Sequence, residues 1–144
     1  MPIKPPAHHF IDANLIMYSL GGSHPLRNPC KRILDKIKTG EILAVTNTEV
    51  LQEILYRFFS IGRPALAEIA YASMVQFCTA ILSITLQDMD KTLELLKSRQ
   101  GITSRDAVHA ATMINHGIKK IISVDHHFDL IPGIKRIDPA SFGA

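Results

Sequence analysis

The chain has 144 residues, of which 47% are hydrophobic and 20% are charged. This composition is typical of globular proteins, so we predict a single domain over residues 1–144 and exclude a disordered tail, a collagen-like rod and a disulfide scaffold. Sixteen basic and 13 acidic residues give a net charge of +3. Such a charge permits a polyanionic partner but does not require one.

Short apolar strands and amphipathic helices alternate along the chain. Strands are predicted over residues 8–11, 42–45, 80–85, 120–124 and, as a short edge strand, 135–137. Helices are predicted over residues 15–20, from 26 to Gly40, from the N-cap candidates 46–48 to Gly62, and over 64–79, 87–99 and 105–116.

For two of the predicted helices, the sequence also indicates which side chains are buried. In the helix over residues 87–99, the apolar spacing predicts that Met89, Leu93 and Leu96 face inward. The helix over residues 105–116, for which Ser104 is the predicted cap, is apolar almost all round. A helix of that kind is buried between other elements.

The alternation predicts an α/β fold. We expect a three-layer α/β/α sandwich around a central, mostly parallel sheet of four to five strands. In such sheets, ligands bind beyond the carboxyl ends of the strands. The polar residues that follow the strands are therefore the candidate functional residues.

Other features of the sequence bear on where the protein works. The first ten residues lack the apolar run and the cleavage site of a signal peptide, and no stretch reaches the roughly 18 uninterrupted apolar residues of a membrane span. Cys30 and Cys78 match neither a metal-site spacing nor a disulfide framework, so we expect both to be reduced core residues. We predict a soluble cytoplasmic protein without a membrane segment.

Four separate segments deliver a carboxylate to one edge of the predicted sheet. Asp12 ends the first strand, Asp125 ends the fourth, Asp106 lies in the first turn of the buried helix, and Glu49 and Glu53 share one helical stripe. Each acid alone has a structural explanation as a turn former, a helix-dipole partner or half of an ion pair. Together they favour a divalent cation, Mg²⁺ or Mn²⁺, because clustered carboxylates repel one another.

A carboxylate-bound metal ion at a sheet edge suits phosphate-ester chemistry. The sequence contains neither GxxxxGK[ST] nor GxGxxG, which argues against nucleotide-driven group transfer and leaves hydrolysis as the simpler prediction. Arg57 and Arg105 lie next to, or one turn from, predicted acids and are candidates for holding phosphates. His109 lies one turn after Asp106 and is a further neighbour of the predicted site. The pairs at 8–9 and 126–127 do not favour a zinc site, since adjacent histidines beside strands point to opposite sides.

Four stretches form an ordered set that covers nearly the whole chain: FIDANLIMY (10–18), TNTEVLQEILYRF (46–58), TSRDAVHAATMINHGIKKIISVDHHFD (103–129) and PGIKRIDP (132–139). This set resembles the PIN domain family and, more narrowly, the small toxin ribonucleases of the VapC type. Carried over by position, the family's catalytic acids fall on Asp12, Glu53, Asp106 and Asp125, of which the three aspartates would bind the metal. Its small polar and hydroxyl positions fall on Asn14 and Ser123. Glu49 is an alternative to Glu53, and Asp129 is a second candidate beside Asp125.

The resemblance implies a Mg²⁺- or Mn²⁺-dependent endoribonuclease that cuts single-stranded or looped RNA and leaves a 5′-phosphate. It also implies a homodimer and, for the toxin branch, a cognate antitoxin protein. Two readings within the same family stay open: an RNA-processing nuclease without an antitoxin, and a catalytically silent module that only binds RNA or protein. A haloacid-dehalogenase-type phosphatase is disfavoured, because Asn14 replaces the second aspartate of its D-x-D motif.

The predicted site changes the meaning of the net charge. If Asp12, Glu53, Asp106 and Asp125 surround a metal ion, nine acidic residues remain against 16 basic residues in the rest of the chain. The sequence then predicts an acidic pocket within a basic shell, an arrangement that suits a polyanionic substrate.

Overall fold

Five parallel strands form the central sheet of the computed structural model, in the order β3-β2-β1-β4-β5. The structure describes residues 7–142, so the ends of the predicted 1–144 domain lie outside the described residues. The strands are β1 (His9–Ile11), β2 (Ala44–Asn47), β3 (Ala80–Leu82), β4 (Lys120–Ile122) and β5 (Lys135–Ile137). The sheet confirms the predicted α/β class, and β5 is an edge strand as predicted.

Six α-helices flank this sheet within the described residues, and none of them is long and apolar enough to cross a membrane. They are α1 (Ala13–Leu20), α2 (Arg27–Lys38), α3 (Thr48–Ser60), α4 (Pro64–Phe77), α5 (Leu86–Ser98) and α6 (Ser104–Asn115). A one-turn 3₁₀ helix (His126–Leu130) connects β4 to β5.

Strand β1 occupies the centre of the sheet because its side chains are apolar on both faces. Phe10 and Ile11 are fully buried, and β1 pairs with β2 on one side and β4 on the other. The chain builds outward from β1 through β2 to β3, and later through β4 to β5. The strand order therefore reverses beside β1, which is where parallel sheets open a crevice at their carboxyl ends.

Side-chain caps decide where several helices begin, and they correct the predicted bounds. The Asp12 carboxylate accepts from the Ala13 N–H, so α1 begins two residues earlier than predicted. Asn47 caps α3 through the Val50 N–H, as predicted, while its backbone still belongs to β2. The prediction that Ser104 caps α6 is wrong, because the Thr103 hydroxyl accepts from the Asp106 N–H and Ser104 is the first helical residue.

Four strand predictions also had the wrong bounds, although β1 differs only in that it begins at His9 instead of residue 8. Strand β2 begins and ends two residues later than the predicted 42–45, because its ladder with β3 extends to Asn47. Strand β3 stops at Leu82 instead of 85, since Thr85 already caps α5. Strand β4 stops at Ile122 instead of 124, where the chain turns into the segment that carries Ser123 and Asp125. The shifts of β2 and β4 bring Asn47 and Ser123 to the carboxyl edge of the sheet.

Helix α6 fills the position that its composition predicted. Every residue from Asp106 to Met113 is buried.

The two cysteines, Cys30 and Cys78, are buried and free, which confirms their prediction as reduced core residues. Burial raises the pKa of the Cys30 thiol to about 11 and that of Cys78 to about 12, so both stay protonated at neutral pH.

Helix α5 faces the core with a different side from the one predicted. Met89 and Leu93, predicted inward, are 45% and 60% exposed, whereas Leu96 is partly buried as predicted. The buried residues are instead Asp88, Thr92 and Leu95. Asp88 explains this orientation, since it forms a capping box with Thr85 and accepts a 2.8 Å hydrogen bond from the Asn115 amide of α6.

We expect Asp88→Ala to destabilise the fold by about 2 kcal/mol, because it removes the capping box and leaves the Asn115 amide without its acceptor. Urea unfolding followed by circular dichroism measures this difference. The matched control is Asp90→Ala on the exposed side of the same helix, for which we expect a change within about 0.5 kcal/mol. Equal effects of the two substitutions would show that the Asp88 contacts do not hold α5 in place.

Candidate metal centre

Asp12 is held in place by the segment that follows β4. The Ser123 hydroxyl donates to Oδ2 of Asp12 at 2.6 Å, and the Asn14 amide donates to the same oxygen at 3.2 Å. The Ser123 oxygen in turn accepts from the Asn14 amide at 3.1 Å and from the Asp125 N–H at 3.0 Å. These bonds join the carboxyl ends of β1 and β4 into one polar cluster. Burial raises the pKa of Asp12, and the Ser123 hydrogen bond opposes this shift.

Asp106 reaches the same region from the first turn of α6. Burial and the neighbouring Asp125 carboxylate raise its pKa to about 6. Its Oδ2 atom is buried and accepts no hydrogen bond. Nδ1 of His127 lies 3.2 Å from that oxygen and 2.7 Å from Oδ1 of Asp125.

Glu53 is anchored by a chain of buried side chains that begins at Asn47. The Asn47 Oδ1 atom accepts from the Val50 N–H, so its amide nitrogen must face the other way. That nitrogen lies 3.0 Å from Nδ1 of His109 and donates to the Thr112 hydroxyl at 3.2 Å. Nε2 of His109 lies 2.7 Å from Oε1 of Glu53.

The donors and acceptors in this chain define the protonation of His109. Because the Asn47 amide donates to Nδ1, that nitrogen carries no proton, and Nε2–H donates to Glu53. The carboxylates of Glu53 and Asp12 raise the pKa of His109 against the cost of its burial. However, a second proton on Nδ1 would point at the amide hydrogens of Asn47. The amide could avoid this clash only by turning over, and its Oδ1 atom would then lose the Val50 N–H that caps α3. The ring is therefore neutral, and it orients Glu53 without neutralising it.

The acidic side chains fall into two adjoining groups that have the spacing of metal ligands. One contains Asp12, Glu53 and His109, and the other contains Asp106, Asp125 and His127. Two buried acceptors in this region, Oδ1 of Asn14 and Oδ2 of Asp106, have no hydrogen-bond partner among residues 7–142. Buried oxygens without donors, placed beside several carboxylates, fit a hard divalent cation such as Mg²⁺ or Mn²⁺.

A cleft of about 320 Å³ opens over the first of these groups. Its lining includes Asp12, Glu53 and Asp125 together with the two predicted phosphate-binding cations, Arg57 and Arg105. The Arg105 guanidinium lies 3.8 Å from Glu53 and is 62% exposed, so it is accessible from solvent. The structure therefore places both cations at the mouth of an acidic cleft.

The two alternative acids lie away from these groups. Glu49 is half-buried on α3 and lines a separate depression with Met89 and Leu93. Asp129 accepts a 3.1 Å hydrogen bond from Arg136, which lowers the pKa of its carboxyl. The geometry thus favours Glu53 over Glu49 and Asp125 over Asp129 as members of the site.

Reasoning from sequence gave too little weight to two histidines and an asparagine. The sequence predicts His109 only as a neighbour of the site and Asn47 only as a helix cap. It predicts no metal-binding role for the histidine pair at 126–127, because adjacent histidines beside a strand point to opposite sides. In the structure, His127 lies in a 3₁₀ helix and contacts two acids. A sequence signal existed for His109, because it lies three residues after Asp106 in a helix that was predicted to be buried.

Comparisons with known proteins agree on one family. The sequence pattern of the PIN domain matches residues 9–134. The chain is 35% identical to ribonuclease VapC13 of Mycobacterium tuberculosis over 127 residues, which are 88% of this chain and 97% of VapC13.

Solved structures of low sequence identity share the fold. VapC20 of M. tuberculosis, described as a toxin that cleaves the sarcin-ricin loop, superposes with a TM-score of 0.71 at 17% identity, over 83% of this chain and 92% of that one. A chain of a toxin–antitoxin complex from Klebsiella pneumoniae superposes with a TM-score of 0.65 at 16% identity, over 91% and 97% of the two chains.

We expect Asp106→Asn to stabilise the metal-free protein at pH 8 and to have a much smaller effect at pH 4.5. A carboxyl whose pKa is raised from 3.8 to about 6 destabilises the folded state increasingly as the pH rises through that interval. Above pH 6 the cost is on the order of 1–3 kcal/mol, and the amide removes it. Thermal unfolding in the presence of a chelator measures the difference, with the exposed Asp90→Asn as control. An equal effect at both pH values would contradict this origin.

Proposed function

The chain belongs to the PIN domain family, among the VapC ribonucleases, and we propose that it is a metal-dependent endoribonuclease that hydrolyses phosphodiester bonds of single-stranded or looped RNA. We propose further that it is the toxin of a toxin–antitoxin pair. The observation that carries the proposal is the convergence of Asp12, Glu53, Asp106 and Asp125 at one edge of the sheet, with a buried oxygen of Asp106 left without a donor.

We assign the metal to Asp12, Asp106 and Asp125, with Mg²⁺ or Mn²⁺ as the ion. A divalent ion bound by carboxylates supplies an activated water at neutral pH and stabilises the charge of the leaving oxygen. Ser123 and Asn14 hold the Asp12 carboxylate, so its orientation is fixed before substrate arrives. This preorganisation supports hydrolysis, since the protein need not rearrange the acids during the reaction.

Glu53 is the acid best suited to handling a proton. His109 donates to its Oε1 atom, and the Glu53 side chain lines the cleft. Arg57 and Arg105 border the same cleft and suit the phosphates on either side of the cleaved bond. The excess of basic residues outside the four acids favours the approach of RNA as a whole.

The structural neighbours support an antitoxin partner, because one of them is a chain of a toxin–antitoxin complex. The proposed RNA substrate supports a location in the cytoplasm, which we also propose. We also propose a homodimer. The support for it is the apolar surface of α5, where Leu86, Met89 and Leu93 are 78%, 45% and 60% exposed. Apolar side chains grouped on one helix face are typical of an interface.

We expect Asp12→Asn, Asp106→Asn and Glu53→Gln each to reduce cleavage of a looped RNA by roughly 10²-fold or more, because each removes a carboxylate from the site. Glu49→Gln is the matched control on the same helix and should retain activity within about threefold. Gel analysis of end-labelled RNA with Mg²⁺ or Mn²⁺, and with a chelator, measures the rates and identifies the expected 5′-phosphate.

Two outcomes of that assay would change the proposal. Loss of activity in Glu49→Gln with full activity in Glu53→Gln would shift the catalytic glutamate by one turn of α3. A wild-type protein that cleaves no RNA with either metal, and binds RNA as well as its variants do, would support the catalytically silent module. A separate purification tests the toxin assignment: active protein that is expressed from its own locus and copurifies with no small partner would favour a processing nuclease.

We expect Leu93→Glu to convert the dimer to a monomer, because it places a charge in the apolar face of α5. Light scattering coupled to size-exclusion chromatography measures the mass directly. The control is Ile69→Glu on α4, a residue that is also about half exposed, which should leave the mass unchanged. A wild-type protein that elutes as a monomer at all concentrations would refute the dimer.

A further inference from the structure

Two histidines lie against the acids of the site, and their ring nitrogens differ in what they are free to bind. Both nitrogens of His109 are occupied, Nδ1 by the Asn47 amide and Nε2 by Glu53. The ring is 1% exposed. Although His109 belongs to a group with the spacing of metal ligands, it has no lone pair left for a metal ion.

His127 is different, because its Nδ1 atom lies beside two carboxylate oxygens and forms no hydrogen bond with the described residues. These are Oδ1 of Asp125 at 2.7 Å and Oδ2 of Asp106 at 3.2 Å, and neither contact has the alignment of a hydrogen bond. Neighbouring ligands of an octahedral cation lie about 3.0 Å apart, given bonds of roughly 2.1 Å that meet at right angles. The lone pair of each ligand points at the metal ion, and the neighbouring ligand lies roughly 45° away from that direction. Two ligands of one ion are therefore expected to be in close contact without the alignment of a hydrogen bond.

The remaining contacts keep His127 in this position. Its backbone N–H donates to Oδ1 of Asp125 at 2.9 Å, which starts the 3₁₀ helix. The next residue, Phe128, is fully buried and anchors that helix in the core. The side chain of His127 is 47% exposed, so the ring is open to solvent. The Oδ2 atom of Asp106, which faces Nδ1, is the buried oxygen without a hydrogen bond.

We propose that His127 is a nitrogen ligand to the divalent metal ion held by Asp106 and Asp125, and that it shifts the preference of this site from Mg²⁺ toward Mn²⁺. Mg²⁺ binds oxygen ligands almost alone, whereas Mn²⁺, although it also prefers carboxylates, is a first-row transition metal and accepts an imidazole nitrogen more readily than Mg²⁺ does. His126 does not take part. It is 78% exposed and lies beside Asp129 and Arg136 on the other side of the 3₁₀ helix. The inference rests on the proposed function only in that a divalent metal binds these acids.

Electron spin-echo spectroscopy of the protein loaded with Mn²⁺ tests this ligand directly. We expect modulation from one ¹⁴N nucleus in the wild type, its replacement by a ¹⁵N pattern after labelling with ¹⁵N-histidine, and its loss in His127→Gln. The matched control, His126→Gln, should keep the wild-type spectrum. The labelled wild type tests the proposal even where a variant fails to fold.

Calorimetric titration of the chelator-stripped proteins with each metal gives the second measurement. In His127→Gln we expect the affinity for Mn²⁺ to fall at least tenfold and the affinity for Mg²⁺ to change by less than about threefold. His126→Gln should match the wild type for both metals.

The contrary results separate this inference from the proposed function. Mn²⁺ bound without nitrogen modulation in the wild type would overturn the ligand assignment while leaving the metal-dependent ribonuclease intact. An equal increase in the affinities of His127→Gln for Mn²⁺ and Mg²⁺ would show that the histidine is an ion-pair partner that competes with the metal. That result would also overturn the ligand assignment. A wild type that binds neither metal would overturn both proposals.

Discussion

Repulsion among carboxylates at the carboxyl edge of the sheet is the constraint on which the rest of the site depends. Asp12 and Asp106 are buried, and burial raises the pKa of both, with the Asp125 carboxylate adding to the effect on Asp106. Hydrogen bonds from Ser123, Asn14 and His109 orient the acids without supplying a positive charge. The fold therefore stores electrostatic cost at this edge, and the divalent cation that we propose would recover it on binding. Stability and metal affinity are coupled as a result.

The sheet topology explains why the acids meet. Strand β1 lies between β2 and β4, so the residues after β1 and β4 flank the point where the strand order reverses. Asp12 and Ser123 meet there directly. Helices α3 and α6 begin at the same edge, and their first two turns bring Glu53 and Asp106 to it. A site assembled in this way draws on segments more than 100 residues apart, while each segment follows only local rules for strand ends and helix starts.

Those local rules are the part of the molecule that sequence could predict. Apolar strands that alternate with helices define the layers, and Asp12, Asp106 and Asp125 were found because each follows a strand or opens a helix. The orientation of α5 could not be found this way. Its apolar spacing points to Met89 and Leu93, but Asp88 binds Asn115, which lies 27 residues along the chain. Likewise, the contacts of His127 with Asp106 and of Asn47 with His109 join distant segments. No periodicity encodes such pairs.

Asn47 also limits how the sequence can change in length. Its side chain starts α3 and, through His109, holds Glu53 one and a half turns further along the same helix. One inserted or deleted residue between positions 47 and 53 would rotate Glu53 by about 100° about the helix axis, away from the ring that binds it. Insertions and deletions should therefore be tolerated in the loops after Gly40 and Gly62 but not in this segment. Related sequences should conserve the six-residue separation between cap and glutamate even where the residues between them differ.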